Sequence, residues 1–588
     1  MPRKQNPLLR PSRVPEAFDG IQVNYCKNPS CSNFGVSPAK KGKKGRRPPG
    51  TPRDSYRSGS TSGHIAILSC LLCSEHPTVK SNRAVAQELA RMSAELVLPN
   101  APKCETVGCD HHEKPVTSRD HYQRFGRTSM GSARFRCKAC RRVVTFSASP
   151  IKRQRDPSKN RIILSLLMNK SPMRRICEVA DIRPKTLYQR ISFFHEQCRR
   201  FVATHEQAFF ENGFRHARAY VCVDRQDYLV NWSNQDDRRN VRLHAVASAD
   251  QRSGYVFGVH LDFDATLNAV AVEADHAAHP ELHVSHPFRR YARVWLQADY
   301  RDAIRTHQRR KASQQTRKWK LSQEGAGVIS DVAAAYEDTM HREDVEQSAL
   351  PDVDTQLPAH GMQIHTEYTL YGHMFYLERM LKGFEKVRFF LDQESGIRAA
   401  FLSAFIRRVK DRTADAFYVR INKNLTVNER RREKAKAEAA FDQARHRFPG
   451  LNDHELQIEL IKERIAQVRT VGRWSDRWLL HPFPNMSEPD KAACYLTDLG
   501  DYSSDHLARL YQLASLHAID RFFMQIRRRI SLLERPIATA SGMGRVWHGY
   551  SPYNPEVVGK MLSIFRVFYN YSLAGDDKKT PAMRLGLV

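Results

Sequence analysis

Three acids in this chain stand where a carboxylate is costly unless something binds it. Asp224 lies at the centre of AYVCVDRQDYLV, a strand-like run in which Val221 and Val223 alternate around it. A strand buried in a sheet excludes an unpaired charge, and a divalent cation would supply the missing partner. Asp392 ends the apolar run of KVRFFLDQESGIRAAFLSAF, after which Ser395-Gly396 turn the chain into an amphipathic helix. That transition sets the carboxylate at a strand end, where a neighbouring strand can bring another close. Asp299, in ARVWLQADYRDA, also ends an apolar run and competes for this place, but its strand-to-helix transition is less clear. A third acid should come from a helix beside the sheet. HLARLYQLASLHAIDRFFMQIRRRISLLERP offers Asp520, set between Ile519 and Phe522-Phe523, and as the alternative Glu534, near the helix end. Asp520 is preferred, because it sits awkwardly among apolar neighbours. Three such carboxylates suit two Mg²⁺ (or Mn²⁺) ions, hard cations that take oxygen ligands and keep open positions for water and phosphate. The chemistry of that arrangement is phosphoryl transfer, with an attacking water or 3′-hydroxyl activated and a leaving oxygen stabilised.

A second set of residues calls for zinc. Cys26 and Cys31 form C-x4-C and Cys70 and Cys73 form C-x2-C; Cys104 and Cys109, then Cys137 and Cys140, repeat the same order. Each quartet supplies four thiolates, which suits a closed, structural tetrahedral Zn²⁺ site rather than a catalytic one. The repeated order points to an internal duplication, and the intervening DSYRSG and DHYQRFGRTS match loosely. FRCKACRRVVTFS places its CxxC between strand-like runs, as the knuckle of a zinc ribbon requires. His76, His111 and His112 lie close enough in sequence to replace a neighbouring cysteine. Twelve cysteines in a chain of intracellular character are reduced thiols, so paired spacings speak for metal rather than disulfides.

The elements that must position these groups divide the chain. Residues 1–100 form a first zinc-ribbon-like module with a basic loop, KKGKKGRRPPGTPR, and residues 101–150 a second zinc ribbon. Residues 151–205 read as an all-α helix-turn-helix. Ser171-Pro172 and Arg183-Pro184 each start a helix, with Pro at the first helical position. Ile176, Val179 and Ala180 share one face, as do Leu187, Ile191 and Phe194. Lys185, Thr186, Gln189 and Arg190 then face outward near the start of the second helix, where a recognition helix reads base edges. Residues 206–588 are an α/β catalytic domain with insertions near 301–360 and 425–475, the latter a helical hairpin.

Composition agrees with a nucleic-acid partner. Lys+Arg 94 against Asp+Glu 63 leaves a formal charge of +31 over 588 residues, a field that attracts polyanions. A hydrophobic content of 41% suffices for packed domains. No run of about 18 apolar residues suggests a membrane span, and the basic N-terminus lacks a secretory apolar stretch.

Taken together, these features resemble the DDE transposases of bacterial insertion sequences. The order of zinc ribbon, helix-turn-helix and RNase H-like domain carries the resemblance over essentially the whole chain, the first ribbon being its least typical part. The most specific matches are FRCKACRRVVTFS, LDQESGIRAAF and the tail YNPEVVGKMLSIFRVFYNYSLAGDDKKTPAMRLGLV. In that tail Tyr569-Asn570 precedes Thr580, Pro581, Ala582 and Gly586, like the family's closing segment. The resemblance implies that Asp224, Asp392 and Asp520 are the metal-binding triad, with Asp520 standing where the family usually has Glu. It implies that Arg527, Arg528 and Arg529 contact phosphates. It further implies double-stranded DNA (transposon ends and target) as partner, a homodimer or larger assembly that pairs two ends, and a cytoplasmic, nucleoid-associated place in a bacterium. A domesticated, non-catalytic DNA-binding regulator and a metal-dependent DNA nuclease of the same fold are the other readings open to these residues.

Overall fold

The structure is a computed structural model that describes residues 10, 12–39, 55–60, 65–97, 102–116, 120–129, 131–146, 151, 154–206, 209, 216–231, 240–300, 327–336, 360–393, 396–422, 425–472, 474–534, 537–538, 546–547 and 554–588. The basic stretch KKGKKGRRPPGTPR and all but residues 327–336 and 360 of the insertion expected near 301–360 lie outside the described residues.

Two small antiparallel units open the chain. Strands β1 (Tyr56–Ser60) and β2 (Ala66–Cys70) form a hairpin, and helix α1 (Asn82–Ser93) follows, with Ser81 accepting from the Ala84 N–H as its N-cap. Strands β3 (Tyr122–Arg127), β4 (Ala133–Cys137) and β5 (Val143–Phe146) make a three-stranded meander. Then come α2 (Asn160–Leu167), α3 (Met173–Val179) and α4 (Pro184–His205). The expected start of α3 moves by one residue: Pro172 is the cap and Met173 the first helical position. Arg183 and Pro184 open α4 as expected.

The centre is an eight-stranded mixed sheet. Its strands are β6 (His216–Asn231), β7 (Asn240–Asp250), β8 (Val256–Leu261), β11 (Phe384–Asp392), β12 (Ala414–Ile421), β13 (Arg469–Val471), β14 (Asp476–Leu480) and β15 (Lys491–Tyr495), in the order β13-β14-β15-β12-β11-β6-β7-β8. Short β9 (Phe263–Asp264) and β10 (Met362–Gln363) pair outside it. β6, β7 and β8 are antiparallel, β11 and β12 run parallel to β6, and β15 and β14 return antiparallel.

Period-2 alternation sorts the side chains to two faces. Ala219, Val221, Val223, Phe389, Leu391 and Tyr418 belong to one apolar cluster; Tyr220, Cys222, Phe390, Phe417 and Val419 belong to the other. Over the first face lie α1, α5 (Ala269–Ala278), α6 (Val328–Tyr336), α7 (Thr366–Met380) and α8 (Ile397–Ala404). α9 (Ile406–Lys410) follows α8 directly. Over the second face lie α2, α3 and α4, together with α11 (Asp453–Ile465), α12 (Ser504–Gln512), α13 (His517–Arg529) and α14 (Pro555–Tyr571). The result is an α/β/α sandwich. The helical hairpin expected at 425–475 is present as α10 (Val427–Arg447) and α11, each opened by a capping box, Thr426 with Glu429 and Asn452 with Glu455. Among the described residues no helix is long and apolar enough to cross a membrane.

Two of the expected boundaries do not separate independent cores. Ile163, Leu167, Ile176, Leu187 and Ile191 of the helical segment share a cluster with the sheet, and Ile21, Val23, Phe34, Val85 and Leu89 of residues 1–100 share the other. Each cysteine module also has a small cluster of its own, around Tyr56, Leu68 and Val79 in the first and Val116 and Tyr122 in the second, and among the described residues the second module contributes to neither main cluster.

Candidate functional site

Asp224 and Asp392 come together. Leu391 of β11 is in parallel register with Val223 of β6, which sets Asp392 beside Asp224 one residue on. Neighbouring strands lie about 4.8 Å apart. Both acids have the parity of Cys222 and Phe390, so both face the layer of α13. Each carboxylate accepts the N–H of the next residue, Arg225 to Asp224 Oδ1 at 2.7 Å and Gln393 to Asp392 Oδ1 at 2.9 Å. Asp224 is buried and Asp392 half-buried. After Asp392 the chain leaves the sheet through Gly396, whose φ of +80° opens α8.

Helix α13 is pinned over Asp224 from both ends. Before it, Cys222 Sγ donates to the Ser515 carbonyl at 3.1 Å; near its far end, Arg527 Nη1 donates to Gln226 Oε1 at 2.8 Å. Cys222, Asp224 and Gln226 are alternate residues of β6, so Asp224 lies between the two anchors. The start of α13 is fixed by buried Glu488, which accepts from the Leu516 N–H at 2.9 Å and the Ser515 hydroxyl at 2.6 Å, while Lys491 neutralises it at 2.9 Å. Asp520 stands in the first turn of this helix, half-buried. Burial pushes the Cys222 thiol well above its ordinary range, and the carboxylates of Asp250, Glu488 and Asp520 push the same way.

The other candidates lie apart. Glu534 follows the helix and accepts from Lys170 Nζ at 2.7 Å in a largely exposed pair with the α2–α3 turn. Asp299, the competitor for the second position, packs among segments of the opposite face, against Arg289 and Leu296. Asp415 shows what a purely structural acid looks like here: fully buried on β12, it is paired with Arg388 at 2.9 Å and bonded by Tyr495 and Tyr502. Among the described residues Asp392 makes no ion pair and accepts one hydrogen bond, that of Gln393.

Of the three arginines, Arg528 is exposed, Arg527 is held by Gln226, and Arg529 bonds Gln525 at 3.0 Å and Asn169 Oδ1 at 3.2 Å, tying α13 to the helical segment. Gln226 was not foreseen; its parity with Asp224 on one strand was the available signal. On α4, Lys185 and Gln189 are exposed and Thr186 half-buried, as an outward face requires. Arg190 departs from that face: it is buried and donates to the Arg155 carbonyl. Its place follows from helix geometry, since it lies one turn from buried Leu187 and Phe194. Val179, expected inward on α3, is 58% exposed.

Both cysteine quartets close. Cys26 Sγ lies 3.4 Å from Cys73 and Cys31 3.8 Å from Cys70; Cys104 lies 3.4 Å from Cys140 and Cys109 3.9 Å from Cys137. In each quartet all four sulfurs fall within 4.8 Å of one another. Four thiolates at about 2.3 Å from a tetrahedral Zn²⁺ stand about 3.8 Å apart, so the donor set and its dimensions suit two structural zinc sites. The duplication extends to the supporting bonds. Tyr56 faces Cys70 and accepts the Cys26 N–H at 2.9 Å; Tyr122 faces Cys137 and accepts the Cys104 N–H at 2.8 Å. Cys26 bridges Phe34 and Cys104 bridges His112, at the same interval. Backbone N–H groups of Asn28, Asn33 and His111 point at the sulfurs of Cys26, Cys31 and Cys109. Cys140 is pulled down to about 6, first by its hydrogen bond with Thr106. His111 Nδ1 lies 3.5 Å from Cys137 Sγ, beside the quartet rather than in place of a member.

The closing segment singled out in the sequence builds the fold. Asn570 is fully buried and grips Val256 of edge strand β8 twice, accepting its N–H and donating to its carbonyl, both at 2.9 Å. Thr580 caps α15 (Pro581–Leu585), Pro581 is its first residue, and Gly586 ends it at φ +80°.

Neither protein-family models nor curated proteins gave a match to this chain.

Proposed function

We propose that the chain is a DNA transposase of the DDE/DDD type, which binds transposon ends and catalyses metal-dependent strand cleavage and strand transfer. The observation that carries this reading is the pairing of Asp224 with Asp392 on adjacent parallel strands beneath the helix that bears Asp520. Two carboxylates side by side repel, and a shared divalent cation removes that cost. The sheet order supports an RNase H-like domain: an antiparallel triplet, β8-β7-β6, is continued by the parallel strands β11 and β12. Bound Mg²⁺ would supply activation of the attacking oxygen and stabilisation of the leaving one. The protein's own part is positional. The N–H groups of Arg225 and Gln393 each hold one carboxylate oxygen, Asp224 Oδ1 and Asp392 Oδ1, and so fix the orientation of the two side chains. Gln226 and Glu488 fix α13, Arg528 offers an exposed cation to phosphates, and Lys185 and Gln189 stand exposed where base edges would be read.

Under this reading the cysteine modules are zinc ribbons, and α3 and α4 act as a helix-turn-helix on double-stranded DNA. The test is a strand-transfer assay with Mg²⁺ or Mn²⁺, using the DNA that flanks the gene as donor. The wild type should nick and join, and Asp224→Asn and Asp392→Asn should do neither while staying folded. Unchanged joining by Asp392→Asn sinks the assignment. Cutting without joining would point to a nuclease, and binding without cutting to a regulator.

A further inference from the structure

A third group of ligating side chains converges away from both the acid pair and the cysteines. His286, Asp299 and His365 each bring one ligand atom within 4.8 Å of the others. His286 Nε2 and His365 Nε2 are 3.3 Å apart, and Asp299 Oδ2 lies 3.9 Å from His365 Nε2. Two imidazole nitrogens at about 2.05 Å from a tetrahedral Zn²⁺ stand about 3.3 Å apart, so the histidine pair already has the spacing of a shared ion. Toward His365 the carboxylate need close by only about half an ångström to share the ion.

The surroundings hold these ligands in place. Residues 293–295 and 363–365 run antiparallel: Val294 bridges Ile364, the Trp295 N–H donates to the Gln363 carbonyl at 3.0 Å, and the His365 N–H to the Arg293 carbonyl at 2.9 Å. His365 is thereby fixed at the N-cap of α7, and the Trp295 ring stacks on it at 4.2 Å. Tyr368, one turn into α7, lies parallel to the His286 ring. Asp299 is aimed by bonds to its two oxygens, Arg289 Nη1 to Oδ1 and the Leu296 N–H to Oδ2, each at 3.1 Å. Metal ligands held from behind in this manner need little reorganisation to bind. The three residues are buried or half-buried, so an ion there would be largely shielded from water.

We propose that His286, Asp299 and His365 form a third metal site, for Zn²⁺, with a fourth position open to water. Two neutral imidazoles and one carboxylate are a borderline donor set that suits Zn²⁺ and not Mg²⁺. The site serves as a clip. It joins the turn at 286–288, whose Phe288 packs on the first cysteine module, to the start of α7. The same module reaches α7 through Lys80, 3.7 Å from Glu367, and through the Ser81 N–H, which donates to Tyr368. The proposal is independent of the acid pair, which lies on the other face of the sheet.

Metal content decides it. The full-length protein, equilibrated with Zn²⁺ and desalted, should hold three equivalents by elemental analysis, and His286→Ala, His365→Ala or Asp299→Asn should hold two. Cobalt gives a reading free of the variants' folding. In the wild type a third equivalent of Co²⁺ should add visible d–d bands without adding thiolate-to-metal charge transfer. A wild type that saturates at two equivalents of either metal overturns the proposal. So does a third equivalent that survives all three substitutions.

Discussion

Cys26 and Cys104 are matched residues of a duplicated module, each fully buried and each bridged to the residue eight positions on. Replacing either by serine removes one thiolate from a quartet and weakens its zinc site. The consequences should nonetheless differ greatly. If the first module loosens, Ile21, Val23 and Phe34 leave the main apolar cluster. Each buried side chain of this kind is worth about 1.5–3 kcal/mol, or about 5–9 kcal/mol together. Allowing for partial burial in the denatured chain reduces this to about 4–7 kcal/mol. At about 2 °C per kcal/mol for a large domain, the main unfolding transition should fall by about 8–14 °C. The buried pair of Arg398 with Glu75, at 2.9 Å, and the Tyr25 hydroxyl bond to the Ser403 carbonyl, at 3.1 Å, couple the same module to α8 and add to the loss. The second module shares no residue with either main cluster, so Cys104→Ser should leave that transition within about 1 °C and melt only its own meander. Scanning calorimetry of the full-length variants in excess zinc measures both shifts. Equal shifts, or an unmoved main transition in Cys26→Ser, would refute the coupling.

Further expectations follow from the same contacts. Asp520→Asn should abolish strand transfer by at least about a hundredfold, whereas Glu534→Gln, which loses only an exposed pair with Lys170, should keep activity and cost under about 1 kcal/mol; the reverse order in a transfer assay would move the third acid to Glu534. Under the proposed function Lys185→Ala should weaken binding to the end sequence more than to unrelated DNA, by about 1–3 kcal/mol, read by titrations with both DNAs. Arg190→Ala should instead act on stability, by about 1 kcal/mol in denaturant unfolding, because it removes a buried side chain beside Leu187 and Phe194 and its bond to the Arg155 carbonyl. Asn570→Ala leaves the Val256 N–H without its side-chain partner and its carbonyl with Arg566 Nη1 alone, and should cost about 1–3 kcal/mol in the same measurement.

How far these sites were legible in the chain depends on the range of the contacts that make them. Asp224 and Asp392 could be read because period-2 alternation and a Gly turn are local signals, and the sheet then set the two acids in register. The quartets were read from spacing alone, and their shared tyrosines were visible in DSYRSG and DHYQRFGRTS. Arg190 departs from the outward face because its three- and four-residue spacing turns it toward Leu187 and Phe194, which a basic residue type does not signal. The joining of residues 1–100 to the main core was not legible, because Ile21, Val23 and Phe34 carry no local pattern that names their partners. The cluster they join reaches residues hundreds of positions away, Leu370, Phe401 and Phe405 among them. His286 and His365 carried no signal, being 79 residues apart and joined only by the pairing of two short segments.

The two faces of the sheet divide the labour, and this bears on which acids can act together. The face of Cys222 and Phe390 carries Asp224, Asp392, the helix of Asp520 and the helical segment with Lys185 and Gln189. The face of Val223 and Leu391 carries the first cysteine module, α7 and α8. Asp299 belongs to the second group, with its carboxylate held by Arg289 and directed at two histidines. An acid there cannot complete a site with Asp224 without crossing a packed layer of Val221, Val223 and Phe389, all fully buried. Asp392 therefore shares the face of Asp224, and Asp299 does not. A residue one position off the register of Asp224 would face the wrong layer, however close it lay along the strand.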